Sequence, residues 1–288
     1  MSMTVIRRMR TAVVSAAMVA AVMFAGVSLA ASPAEAITGG YPVQADIRGA
    51  SLVHLTMGNA GCSGVLITPE WVLTARHCIP EIMESSVAIV GPSLQTGYRR
   101  GISEVRRHTA VDLALVRLSS PVPTPTAGLS GVHQQPGTPG TATGWGGWNA
   151  DLYPVAQQAD TTINRRIINL PGPFTNMVLL EAPIHNGRLL RGDSGGALWV
   201  NGEVAGILSM STVTDTPSQD GTLGWYIPVA EHLDWIAYQT GAPVPRVSGQ
   251  GSPLVDARQF PPLIPAAHTI PLPVLPASAS SALAMGSH

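Results

Sequence analysis

Between Ile37 and Gly241 the apolar residues fall in short bursts rather than on a helical period. ASLVHL, GCSGVLIT, EWVLTA, SSVAIV, DLALVRL, GTATGWG, MVLLEAPI, GALWV, EVAGILSM and GWYIPV are rich in β-branched and apolar residues, and Gly, Pro, Asn or Asp punctuate the gaps. Many short strands at this spacing predict an all-β sandwich or barrel. One stretch breaks the pattern. VAEHLDWIAYQTG sets Val229, Leu233 and Ile236 on one helical face, with Gly241 as the stop. A single C-terminal helix packed on the β-structure is expected.

The flanks differ in character. Arg7, Arg8 and Arg10 precede an apolar run from Thr11 to Ala31, which exits through the small residues SLAASPAEA. This layout predicts a signal peptide over residues 1–36, cut after Ala36, or after Ala30 to leave a short propeptide, 31–36. The alternative is an uncleaved anchor, since the run is about long enough to span a bilayer; no later stretch is. After Gly241 the chain turns proline-rich. Residues 242–288 are expected to form a disordered tail, or else an extended segment that docks on the cell wall or a partner.

Composition sharpens this picture modestly. A chain of 288 residues, 45% hydrophobic, has room for one large domain or two small ones. The formal net charge of -1 gives no basic field for nucleic acid. Cys62 and Cys78 are the only cysteines. In an exported chain this close pair is expected to oxidise, closing a short loop, for about 3 kcal/mol of stabilisation. The alternative is two unpaired buried thiols. Two thiols and one neighbouring His do not make a zinc ligand set. No acidic loop has calcium-ligand spacing, so neither metal nor cofactor is expected.

Three stretches carry the candidate chemistry. CSGVLITPEWVLTARHC ends with His77 beside Cys78; VDLALVRL opens near Asp112; RGDSGGALWV holds Ser194 between glycines. The last is ambiguous, because its first three residues also spell an adhesion tripeptide. A serine hydroxyl is a poor nucleophile unless a base such as His stands within hydrogen-bond reach. That His must be held in one tautomer, which a buried Asp achieves. Backbone N–H groups must face the developing oxyanion. His77, Asp112 and Ser194 fit these roles, with the amides of Gly192 and Ser194 as oxyanion donors.

Taken together, ITGG at Ile37–Gly40, the TARHC box, DLALVRL, TGWG at Thr143–Gly146 and GDSGG resemble the trypsin/chymotrypsin family of serine proteases, in a compact bacterial form, and stand in the family's order. The resemblance spans residues 37–241. It implies two six-stranded antiparallel β-barrels, with His77 and Asp112 from the first and Ser194 from the second. It implies the Cys62–Cys78 disulfide around the His. It also turns Asp193 inward, onto the free amine of a mature N-terminus at Ile37, which argues against adhesion. The function implied is a secreted serine endopeptidase acting on protein or peptide substrates through an acyl-enzyme, as a monomer. The competing reading is a catalytically idle protease-fold binding protein at the cell surface.

The departures from the family concern specificity. Arg188 falls where the resemblance puts the floor of the primary specificity pocket, and a cation there disfavours cleavage after Arg or Lys. It either attracts an acidic side chain or, as the simpler expectation, swings out to solvent. Ser209 and Ser211 are candidates for backbone hydrogen bonds to an extended substrate. Gly224 aligns with the far wall. Arg76, beside His77, is expected to point outward.

Overall fold

The computed structural model describes residues 37, 39–58, 60–81, 85–146, 155–171, 175–212 and 222–261. Residues 1–36, the segment expected to be a signal peptide, and residues 262–288 lie outside the described residues. A short β1 (Tyr41–Pro42) and α1 (Ile47–Ser51) lead into six antiparallel strands: β2 (Leu52–Met57), β3 (Ala60–Leu66), β4 (Trp71–Thr74), β5 (Val87–Val90), β6 (Tyr98–Arg107) and β7 (Ala114–Leu118). They close into a barrel in the order β2-β3-β4-β7-β6-β5. Closure removes the exposed sheet edges. The inward side chains of these strands, Val53, Leu55, Leu66, Val72, Val90, Val116 and Leu118 among them, form its core.

The second half contributes β8 (Pro139–Gly144), β9 (Gln157–Thr162), β10 (Arg165–Ile168), β11 (Leu179–Pro183), β12 (Ala197–Val200), β13 (Glu203–Ser211) and β14 (Leu223–Pro228). With β1 and a late β15 (Leu254–Asp256) they form one nine-stranded sheet, β1-β9-β8-β12-β13-β14-β11-β10-β15. The six-strand run from β9 to β11 curls until its ends meet at a single bridge, Thr161 to Ile184. The second half is thus a six-stranded barrel joined by one bridge, with β1, β10 and β15 added outside it. Its sheet turns on buried Glu181, which accepts hydrogen bonds from Asn164, Arg165 and Trp225. Helix α2 (Leu233–Thr240) buries Leu233 and Ile236 and stops at Gly241, which is left-handed at φ 69°. Among the described residues no helix is long and apolar enough to cross a membrane.

The expectation of disorder beyond Gly241 does not hold up to residue 261. The strand Leu254–Asp256 pairs in parallel with β10, and Ser248 bridges to Val132. Ala257 is buried in the main core and Val255 packs against it. Proline spacing hid this, because a two-to-three-residue edge pairing needs few N–H donors and leaves no periodic signal. A chain ended at Gly241 is expected to lose about 2 kcal/mol relative to one ended at Pro261, roughly one buried apolar side chain. Thermal unfolding of the two forms checks this.

Candidate active site

His77 lies on a 3₁₀ turn, Arg76–Cys78, that follows β4. The turn is pinned by the Cys62–Cys78 disulfide, whose Cα atoms are 6.1 Å apart. Asp112 lies on the turn between β6 and β7. There the His108 Nδ1 accepts from the amides of Ala110 and Val111, and the amide of His108 donates to the Leu113 carbonyl. Strand pairing between β4 and β7 brings the two turns side by side.

Asp112 is fully buried and grips His77 twice. Its Oδ2 is 2.7 Å from His77 Nδ1, and its Oδ1 accepts from the His77 amide at 2.8 Å. The Ser209 hydroxyl donates to the same Oδ2 at 2.6 Å. Burial pushes the Asp112 carboxyl upward, but the hydrogen bonds from His77 and Ser209, with the nearby imidazole, outweigh it and hold it below the usual carboxylate range. It is therefore a carboxylate at neutral pH, able to fix the ring's tautomer.

Ser194 enters from the second sheet, on the loop before β12. Its carbonyl accepts from the Ser63 amide on β3 at 2.8 Å and lies 3.6 Å from Cys78 Sγ. That sulfur is in turn 4.0 Å from His77 Nε2, so the serine loop and the imidazole rest on the same atom. Gly192 and Gly195 stand at φ 102° and 82°, which side chains avoid. At Gly195 a Cβ would also strike the Ser63 carbonyl and the Thr74 hydroxyl. The serine loop therefore presses on the first barrel only as glycine.

Asp193 is wholly buried. Its carboxylate accepts from the amides of Leu190 at 2.7 Å and Gly146 at 2.6 Å, and also from that of Ile37. This explains TGWG: a Cβ on Gly144 or Gly146 would overlap the Asp193 carboxylate. An inward Asp193 cannot display an adhesion tripeptide.

The specificity candidates divide. Ser211 and Gly224 are register partners across β13 and β14. The ring of Tyr226 fills the space where a Gly224 side chain would go. Arg188 does not swing out: it is only 7% exposed, folded in beside buried Leu189. Ser209 lies at the β13 bulge, where its hydroxyl turns in to Asp112. Arg76 points outward, onto the carbonyls of His108 and Thr109. The sequence reading missed Ser63, whose buried hydroxyl donates to the Gly192 carbonyl and accepts from the Trp145 amide, tying both halves to the serine loop. Its place beside Cys62 was the only signal. The ligand atoms of Cys62, His77 and Cys78 cluster within 4.8 Å, but both sulfurs are committed to the disulfide.

Replacing Ser209 with alanine is expected to lower turnover about tenfold, the scale of one hydrogen bond to a charged group. Peptide hydrolysis by the folded variant measures it.

A double β-barrel with a carboxylate–imidazole pair from one half and a glycine-bound serine from the other defines a serine-protease class of protein. Comparison with known proteins agrees. The trypsin family profile matches residues 37–236, and the chain belongs to that family. It is 48% identical over 239 residues to an "uncharacterized peptidase" of Corynebacterium glutamicum, covering 83% of this chain and 85% of that one. It is 28% identical over 212 residues to chicken trypsin I-P1, covering 64% and 81%. Mouse neuropsin, a serine protease, shares the fold at a TM-score of 0.55 and 21% identity, over 69% of this chain and 98% of that one. The protein is a serine-type endopeptidase.

Proposed function

We propose that the chain is exported, starts at Ile37 when mature, and cuts extended peptides through an acyl-enzyme. Ser194 Oγ attacks the scissile carbonyl while His77 Nε2 takes its proton. Asp112 keeps the proton already on Nδ1 in place and stabilises the imidazolium. The amides of Gly192 and Ser194 receive the oxyanion. Collapse expels the amine, protonated by His77, and leaves an ester on Ser194. Water, deprotonated by His77, then releases the acid. Ser211 and Gly224 border the substrate strand. The charge of Arg188 disfavours Lys or Arg before the cut. The observation that carries this reading is the double grip of Asp112 on His77, which has little purpose in an inert fold.

A mixed peptide library incubated with the secreted protein, and with its Ser194→Ala variant, tests it by mass spectrometry of the products. Cuts made by the wild type alone are expected. A folded protein beginning at Ile37 that makes none would move the idle, binding-protein reading to the front.

A further inference from the structure

A groove of about 600 Å³ opens beside His77. Its apolar side includes Val111 and Met177, and two guanidinium groups, Arg76 and Arg107, stand on it. Arg76 Nη1 donates to the His108 and Thr109 carbonyls at 3.2 and 3.3 Å, and Arg107 Nη2 donates to the Pro80 carbonyl at 2.8 Å. These anchors fix the two cations without neutralising them. Neither forms a salt bridge among the described residues, although eight other ion pairs are formed there. Glu81 also lines the groove but pairs with neither. Asp112, the other acid there, is committed to His77. The groove thus offers two held cations with spare donors, against an apolar wall, within a few residues' reach of the reacting atoms.

We propose that this groove selects an acidic side chain, Asp or Glu, near the scissile bond of the substrate. Arginine suits the task, because its planar fork meets a carboxylate with two parallel hydrogen bonds. The proposal rests on the peptidase reading for its substrate, and its test is built so that the two can fail separately.

Peptide pairs differing only by Glu or Gln are compared at each position around a known cut. The quantity read is the ratio of kcat/KM for Glu over Gln within one protein, so a general loss of activity cancels. The wild type should show a ratio of about twofold to fivefold at one position or more, as expected for an exposed ion pair. The ratio should fall toward one in Arg107→Gln and in Arg76→Gln. It should also collapse at about 1 M salt, where the screening length is roughly 3 Å. A ratio near one at every position overturns the proposal. So does a preference that both variants retain, which would assign it elsewhere, Arg188 included. If the wild type cuts nothing, the peptidase reading fails, and binding of the same labelled pairs to Ser194→Ala decides the groove: equal affinity for Glu and Gln peptides overturns it, and a Glu preference lost in Arg107→Gln upholds it.

Discussion

Asp112→Asn is expected to lower kcat/KM by about 10⁴-fold while leaving the fold intact. The reason lies in the donors that converge on this side chain. Oδ2 meets His77 Nδ1 and the Ser209 hydroxyl, and Oδ1 meets the His77 amide. An asparagine of the same shape must place its NH₂ at one of those points. If it faces Nδ1, the imidazole accepts there and carries its proton on Nε2, so it cannot take one from serine. If it faces the His77 amide, two donors oppose each other and the turn that carries the His is disturbed. A loss of that size is about 5.5 kcal/mol of transition-state stabilisation. Thermal unfolding shows whether the variant is folded, and hydrolysis of the best peptide from the library gives the rate. A folded variant within tenfold of wild type would mean that Asp112 does not orient the base.

The site was legible in the sequence because each of its parts is bound to a short local pattern. A His beside a cysteine, an Asp before an apolar strand and a serine between glycines singled out His77, Asp112 and Ser194 as candidates, and the structure brings their loops together. The strands were legible where burial made them apolar. Strand β6, YRRGISEVRR, was missed because adjacent arginines at both ends, Arg99–Arg100 and Arg106–Arg107, break the apolar alternation, and β9 because it buries Gln157 and Gln158 instead of aliphatic residues. The partners that join the halves were not legible either. Ser63 and the Ser209 hydroxyl act across sequence separations of 129 and 97 residues, through contacts only the folded barrels create. The same holds for the inward turn of Arg188: position alone could place it near a pocket floor but not decide which way it faces.

Cleavage before Ile37 is expected to change how stability depends on pH, and Asp193 is the reason. Burial raises its carboxyl to about 7, and the amides of Leu190, Gly146 and Ile37 offset this only in part. A carboxyl raised above its unfolded value contributes stability fully below that value, near 4. The contribution is then lost as pH rises through about 7. With the chain continuous through Ile37, its nitrogen is a neutral amide, and on the order of 4 kcal/mol is lost over that window. A chain that starts at Ile37 puts an ammonium group at the same point. The ionised carboxylate then has a partner and its pKa falls, so the loss between about 4 and 7 is removed, and stability starts to decline only above the free amine's ordinary value, about 8. Thermal unfolding of two forms, one beginning at Ala31 and one at Ile37, should therefore give similar midpoints near pH 4. The Ala31 form should fall behind steadily toward pH 7, and Asp193→Asn should abolish the divergence. Parallel curves across that range would mean that the Ile37 amine does not reach Asp193, and the start of the mature chain would then have no part in shaping the serine loop.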